Sequence, residues 1–244
     1  MLELSKGTRL ADRYTLERPL GGGGEAEAWL AKDRLTKAAV ALKIVRAGGN
    51  ASKRLRHEWQ TNLRLMHAHI VRVFEFHEDG AAAFYSLQFI DGSDIGVLSG
   101  GTLENILPPL GLVADALRYA HARDVVHRDI KATNVLLDFN GAPYLTDFGV
   151  AAPAGTLASG GSLVAASPQV LRGEPARPSD DIFAFGVLVY ELVSGAPPWP
   201  ASATRADIHK VVPVSYTHLT MPTMSPPGSS WGSAGALTGW GGWG

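Results

Sequence analysis

The chain has 244 residues, of which 45% are hydrophobic, so it can bury one large core or the cores of two lobes. A formal net charge of −1 gives no reason to expect a nucleic-acid-binding protein or attraction to anionic membranes. The absence of cysteine excludes disulfides, thiolate catalysis and cysteine-ligated metals, and suits a reducing cytoplasm, where we expect the protein to act.

The N-terminal part of the sequence predicts strands. It begins without the apolar segment of a secretory signal. Tyr14, Leu16 and Leu20 keep a period of two, and the strand-like segments EAEAWLAKD and AAVALKIV follow, separated by glycine-rich or polar residues. Residues 70–90 predict a hairpin that turns at Asp79-Gly80.

Helical periodicity occurs once in this part and dominates after it. Residues 52–66 predict a helix whose stripe contains Leu55, Trp59, Leu63 and Met66. From about Pro108 a second helix is predicted, and its shared face contains Leu110, Val113, Leu117 and Ala120. The apolar segment IFAFGVLVYELV, residues 182–193, is too short to span a bilayer and predicts a buried helix.

Three polar motifs interrupt these patterns. Four glycines, Gly21 to Gly24, lie between two predicted strands, where they could cradle a phosphate, although a flexible hairpin turn explains them at least as well. Lys43 lies in an apolar strand; it could reach solvent, or point into a cleft with a carboxylate such as Glu58 beside it.

The third motif is HRDIKATN, residues 127–134, followed by LTDFGV. Phosphoryl transfer to a hydroxyl needs a carboxylate near the acceptor, oxygen ligands for Mg²⁺ and positive charge on the phosphate. Asp129, Asn134 and Lys131 offer these three in order, and Asp147 offers a second metal carboxylate. Each residue alone could be part of a polar turn, but the combination points to phosphotransfer.

In these motifs, in order from Tyr14 to Trp199, the sequence resembles the bacterial serine/threonine branch of the protein kinase family. The resemblance implies an α+β, two-lobe fold: an N-lobe with an antiparallel sheet and one helix, and a mainly helical C-lobe. We predict an N-terminal extension at 1–12, the N-lobe at 13–90 and the C-lobe at 91–211. Residues 212–244 form a low-complexity tail, which we interpret as non-native because YTHLTMPT resembles translated adapter sequence.

The resemblance also implies the site residues. Catalytic roles fall to Asp129, Lys131, Lys43 and Glu58, and Mg²⁺ ligation falls to Asn134 and Asp147. Nucleotide-binding roles fall to Leu20, Gly21, Gly23, Ala28, Ala41, Lys43, Gln88, Ile90, Asp94 and Leu136. Regulatory roles fall to Arg128, Thr156, Ser159 and Ser162, and structural roles to His127, Phe148, Gly149 and Asp181.

The implied activity is ATP- and Mg²⁺-dependent phosphorylation of serine and threonine in protein substrates, with autophosphorylation that could involve a dimer. Several departures from the family pattern support alternatives: Ala26 replaces a loop glycine, Asn62 an apolar spine residue and Gln169 a glutamate. The helices expected after Trp199 are mostly absent, so we expect an exposed face at Ile182, Phe185 and Val189. A nucleotide-binding scaffold without turnover, an inactive fragment and a small-molecule phosphotransferase are therefore the competing hypotheses.

Overall fold

In the computed structural model, which describes residues 4–23, 26–149, 151–156 and 165–199, a curled antiparallel sheet precedes a mainly helical region. This order confirms the predicted α+β class. Six strands form the first sheet in the order β1-β2-β3-β4-β6-β5. They are β1 (Arg9–Leu10), β2 (Tyr14–Gly23), β3 (Ala26–Asp33), β4 (Ala39–Arg46), β5 (Val73–Asp79) and β6 (Ala82–Gln88).

The two faces of this sheet are buried separately, because side chains alternate between faces along each strand. One face encloses an apolar cluster that includes Tyr14, Leu16, Trp29, Leu42 and Phe84. The other face packs Val45, Val73 and Tyr85 against Leu55 of the first helix. The predicted turn at Asp79-Gly80 is confirmed, and Gly80 has a positive φ of 54° there.

Helix α1, Gly49–Leu63, begins and ends three residues earlier than predicted. Gly48 and Gly49 have φ of 81° and 71°, a backbone that other residues rarely adopt, so the glycine pair fixes where the helix starts. The predicted stripe was half wrong, since Leu63 and Met66 are 48% and 68% exposed. The buried positions are Ser52, Leu55, Glu58 and Asn62.

The remainder of the described chain is built around helices α2 and α4. Helix α2, Leu103–His121, buries the predicted face, but it starts five residues before Pro108 because Ile106 also packs in the core. Helix α4, Pro178–Ser194, packs against α2 through Ala184, Leu188 and Leu192. The shorter elements are the 3₁₀ helices Ile95–Leu98 and Ala132–Asn134, helix α3 (Pro168–Leu171), and the strands β7 (Gly92–Asp94), β8 (Val125–Val126), β9 (Val135–Asp138), β10 (Pro143–Leu145) and β11 (Ala152–Pro153).

Two findings bear on the C-terminal expectations. On α4, Ile182 is 44% exposed as expected, whereas Phe185 and Val189 pack against the main core. The tail at 212–244 lies outside the described residues. Within the described part of the chain, no helix is long and apolar enough to cross a membrane.

Candidate functional site

Strand register brings the N-terminal site residues into one row. Gly21 lies opposite Ala28, Ala28 opposite Lys43, and Lys43 opposite Tyr85. Directly opposed residues in an antiparallel sheet point to the same face. This is the face that packs against α1, so Lys43 is directed toward the helix that carries Glu58.

Lys43 is the centre of a hydrogen-bonded cluster. Its Nζ donates to Glu58 Oε1 at 2.7 Å and to Asp147 Oδ1 at 2.6 Å. The Tyr85 hydroxyl donates to the same Glu58 oxygen at 2.7 Å. One helix residue and one loop residue thus meet at the Lys43 ammonium group, and a second strand joins the cluster through the Glu58 carboxylate.

Burial and charge act in opposite directions on this cluster. Burial lowers the pKa of Lys43, but the attraction of Glu58 and Asp147 outweighs burial, so the net pKa is raised. Burial raises the pKa of Asp147, but Lys43 more than compensates and lowers it. For Glu58 burial prevails over Lys43, and its pKa is raised. Burial and the nearby Glu58 carboxylate raise the pKa of Tyr85 well above its ordinary value, so its phenol remains a donor.

Gly149 has its backbone against this cluster. A Cβ added there would lie 2.9 Å from Asp147 Oδ1, 3.1 Å from Glu58 Oε2 and 3.2 Å from Lys43 Nζ. All three atoms are ends of side chains in the cluster, so a larger residue at this position would have to displace them. Phe148, next to it, is buried with its ring centroid 4.4 Å from that of His127.

The catalytic-loop candidates contact one another over short sequence distances. Asp129 Oδ2 accepts from Lys131 Nζ at 2.7 Å and from Asn134 Nδ2 at 3.0 Å. Asn134 also donates to the Asp129 backbone carbonyl at 2.7 Å. These bonds fix the Asp129 carboxylate while directing the amide nitrogen of Asn134 inward, so its amide oxygen is the atom that can ligate a cation.

Asp181, on α4, binds the backbone of the same loop. Its two carboxylate oxygens accept the backbone N–H groups of His127 at 2.8 Å and Arg128 at 2.7 Å, and His121 Nε2 lies 2.7 Å from Oδ2. Arg128 has a φ of 69°, in the left-handed region that a non-glycine residue adopts at a cost of about 1–3 kcal/mol. Asp147 is also left-handed, with a φ of 62°.

The unusual Asn62 is buried one helical turn after Glu58, where its amide donates to the Glu58 backbone carbonyl at 3.1 Å. The hydrogen bond satisfies a polar group that would otherwise be costly in an apolar surrounding. Val73 is buried on the side of the sheet that packs against α1, in one cluster with Leu55.

The predicted nucleotide-binding residues lie in the N-terminal sheet and the segments after it. Ala28 and Ala41 lie on the Lys43 face, and Leu20, in β2, is 38% exposed. Gly21 and Gly23 pair with Ala28 and Ala26, while residues 24–25 lie outside the described part.

Beyond this sheet, Gln88 ends β6 and the chain leaves the sheet through Ile90. Asp94 pairs with Leu136 between β7 and β9, and its carboxylate accepts the Gly96 N–H at 2.8 Å. The nucleotide-binding candidates are therefore distributed over two sheets and the connection between them.

A cavity of about 310 Å³ borders the cluster. Its lining combines apolar, cationic and carboxylate side chains: Ala26, Lys43, Val45, Ala51, Arg54, Leu55, Glu58, Asp129, Asp147 and Gly149. One cavity is therefore lined by the candidate for binding the acceptor hydroxyl, Asp129, the candidate metal ligand, Asp147, and the candidate for binding phosphate, Lys43.

The regulatory candidates are only partly described. Thr156 is exposed, and its hydroxyl donates to the Pro153 carbonyl at 2.7 Å. Burial lowers the pKa of Arg128, against the raising effect of Asp180 and Asp181. Ser159 and Ser162 lie outside the described residues.

Two residues of the site were missed in the sequence. Tyr85 reads as an ordinary aromatic residue of a strand, and only its register with Lys43 reveals that it faces Glu58. His121 ends α2, where its position suggests only a favourable interaction with the helix dipole; its contact with Asp181 is set by the packing of α2 on α4.

Comparison with known proteins agrees with this geometry. The profile described as "Protein kinase domain" matches residues 14–230, a range that enters the segment interpreted as a non-native tail. A probable serine/threonine-protein kinase PknB of Corynebacterium glutamicum is 34% identical over 233 residues, covering 86% of this chain and 34% of that protein. Serine/threonine-protein kinase PrkC of Bacillus subtilis is 31% identical, covering 90% and 35%.

Serine/threonine-protein kinase PkaA of Streptomyces coelicolor is 32% identical over 229 residues, covering 82% of this chain and 42% of that protein. The chain thus spans roughly a third to two fifths of the length of these relatives.

Proposed function

Because the chain belongs to the protein kinase family, we propose that it transfers the γ-phosphate of ATP to serine and threonine hydroxyls of proteins in a Mg²⁺-dependent reaction. The observation that carries the proposal is the contact of Lys43 Nζ with both Glu58 and Asp147, beside a cavity that Asp129 also lines. The proposal extends the resemblance in the sequence to specific roles for the residues around that cavity.

Each residue of the site has a distinct task in this proposal. Lys43, held by Glu58, would bind the oxygens of the α- and β-phosphates as a positive charge. Asp129 would orient the acceptor hydroxyl and accept its proton, while Lys131 would offset negative charge on the transferred group. Substrate positioning and electrostatic stabilisation then account for most of the rate enhancement.

The donor set at Asp147 and Asn134 suits Mg²⁺, a hard cation that prefers carboxylate and amide oxygens and completes its octahedron with substrate phosphates and water. When bound, the metal would neutralise charge on the phosphates. Asp147 is kept ionised by Lys43, which lowers its pKa against the effect of burial, so its carboxylate is charged for ligation at neutral pH.

The nucleotide would lie between the glycine-rich strands and the segment after β6. Leu20, Ala28, Ala41 and Leu136 supply apolar area for a base, while Asp94 could bind a ribose hydroxyl. Gln88 and Ile90 supply backbone groups where the chain leaves the sheet. Gly21 and Gly23 have no side chain to keep phosphate oxygens away from the backbone.

We also propose regulation by phosphorylation between residues 150 and 166. Thr156 and Ser159 are the preferred sites, and Arg128 would bind the phosphate, because a phosphate beside an arginine can order a loop. Ser162 would instead lie beside Asp129 in a structural role. Autophosphorylation between molecules would involve a dimer of the chain. The protein would act in the cytoplasm, where ATP is available.

One experiment tests both proposals. The purified chain is incubated with ATP, Mg²⁺ and dephosphorylated casein as a generic substrate, and phosphate is mapped by mass spectrometry. We expect transfer to casein and to residues 150–166. Asp129→Asn, prepared identically, should reduce transfer by about 10²–10⁴-fold, the usual contribution of a general base, and change nucleotide affinity by less than about threefold.

Transfer by Asp129→Asn at nearly the wild-type rate would refute the role assigned to Asp129. A wild-type chain that binds nucleotide without transfer would instead support the scaffold hypothesis. Transfer to casein with no phosphate at residues 150–166 would reject only the regulatory part.

A further inference from the structure

We propose that Tyr85 is a positioning residue for phosphotransfer, which holds the Glu58 carboxylate, and through it helix α1, in the arrangement that orients Lys43. The inference rests on the proposed function, because it assigns a part in that reaction to a residue outside the motifs. It requires that Tyr85 act on Glu58 specifically and not merely fill space in the lobe.

The contact is short and enclosed. Tyr85 is 2% exposed, and its hydroxyl donates to Glu58 Oε1 at 2.7 Å. Glu58 is itself only 6% exposed. The phenol reaches this oxygen because Tyr85 and Lys43 are directly opposed on β6 and β4 and point toward α1 together. Both donors therefore converge on one carboxylate oxygen from adjacent strands.

Lys43 alone could not hold Glu58 in a fixed place. Its ammonium is shared with Asp147, at 2.6 Å, and in the proposed reaction it must also bind phosphate oxygens. Tyr85 is neutral, so it does not compete with Lys43 for phosphate. The buried phenol side chain also has few accessible rotamers. It therefore fastens Glu58 to the sheet while the ammonium changes partners.

A second bond acts on the same residue from within the helix. Asn62 Nδ2 donates to the Glu58 backbone carbonyl at 3.1 Å. Asn62 orders the backbone of α1 near Glu58, but it cannot direct the carboxylate. The link from the carboxylate to the sheet is made by Lys43 and Tyr85.

The test is a double-mutant cycle between Tyr85→Phe and Glu58→Met in the full chain. We expect Tyr85→Phe to lower kcat/KM for ATP about tenfold and leave KM for casein within about twofold, because only the nucleotide side loses a hydrogen bond to a charged group. In the Glu58→Met background the same change should lower activity by less than about twofold, since its target is gone.

Tyr14→Phe is the matched control. Tyr14 is 1% exposed and donates to Ser86 Oγ at 3.3 Å, so its variant also removes a buried phenol hydroxyl from this sheet. We expect its kcat/KM for ATP to stay within about twofold of wild type. Tyr85→Met provides a second hydroxyl-free variant in case the phenylalanine variant does not fold.

The unfolding equilibrium constant in urea supplies a readout that needs no turnover. Tyr85→Phe should raise this constant about tenfold in the wild-type background but leave it unchanged or lower it beside Glu58→Met, where the hydroxyl would be buried without its acceptor. Losses that simply multiply in the two backgrounds, or wild-type kinetics for Tyr85→Phe, would overturn the inference. A wild-type chain without transfer would refute the proposed function and with it any part of Tyr85 in transfer, and the unfolding cycle would then decide only whether Tyr85 holds Glu58 in the fold.

Discussion

Glu58 and Asp181 are both buried carboxylates, but they bind different kinds of partner. Glu58 accepts from two side chains, Lys43 and Tyr85, which come from separate strands. Asp181 accepts two backbone N–H groups of one loop, at His127 and Arg128, and its third neighbour, His121, is a side chain. A side chain can change rotamer and partner, whereas a backbone N–H moves only if the loop moves.

This difference in partners suggests that the contacts of Lys43 can change, whereas the loop held by Asp181 is fixed. In the proposed reaction Lys43 would exchange one partner for phosphate, since its ammonium group already has two carboxylate partners. Asp181 instead stabilises a loop whose Arg128 has a strained, left-handed backbone. We therefore expect changes at Asp181 to act mainly on stability and changes at Glu58 mainly on catalysis.

The largest effect is expected for Asp181→Ala. The substitution leaves two backbone N–H groups buried without their acceptor, and it removes the partner of His121. We predict a loss of about 3–5 kcal/mol in the free energy of unfolding and no detectable transfer. Urea unfolding measures the first, with Glu191→Ala on the same helix as a control expected to lose less than about 1 kcal/mol. Equal losses for the two variants would contradict the bracing role.

An intermediate effect is expected for Glu58→Gln, and mainly in activity. Glutamine keeps an acceptor oxygen for Tyr85 and Lys43, and it removes a charge whose burial is costly, as the raised pKa of Glu58 indicates. Unfolding should therefore change by less than about 1 kcal/mol, while kcat/KM for ATP falls about a hundredfold because Lys43 is no longer held by a charge. A stability loss as large as that of Asp181→Ala would erase the distinction between the two carboxylates.

The smallest effect is expected at Asp33, a third buried carboxylate, which forms an ion pair with Arg13. It accepts from Arg13 Nε and Nη2 at 2.9 and 2.8 Å and from the Leu35 N–H at 2.9 Å. The bonds from Arg13 are the main cause of a pKa far below the ordinary value of this carboxyl. A depressed pKa contributes stability that is present above the unfolded pKa, about 3.9, and is lost as the pH falls below it.

The wild type should accordingly lose about 1 kcal/mol more stability than Asp33→Asn between pH 6 and pH 3, measured by urea unfolding at both values. Parallel pH profiles of the two proteins would show that Asp33 titrates alike in the folded and unfolded chain.

By itself the sequence determined the parts of this protein that depend on neighbours along the chain. The period of two placed Tyr14 and Leu16 in the buried face of a strand, and the period of 3.6 identified the buried face of α2. The loop HRDIKATN is local as well, since Asp129 contacts Lys131 and Asn134 at separations of two and five residues. Such contacts follow from residue order and from local backbone geometry.

Tertiary structure alone decided which distant groups meet. Lys43 contacts Asp147 across 104 residues, and Tyr85 contacts Glu58 across 27, through strand register and the seating of α1 on the sheet. Half of the stripe predicted for α1 was wrong for the same reason. The sheet presents the polar groups of Lys43 and Tyr85 to α1. The helix face that can bind these groups packs against the sheet. The polar Glu58 is therefore buried, while the apolar Leu63 remains exposed.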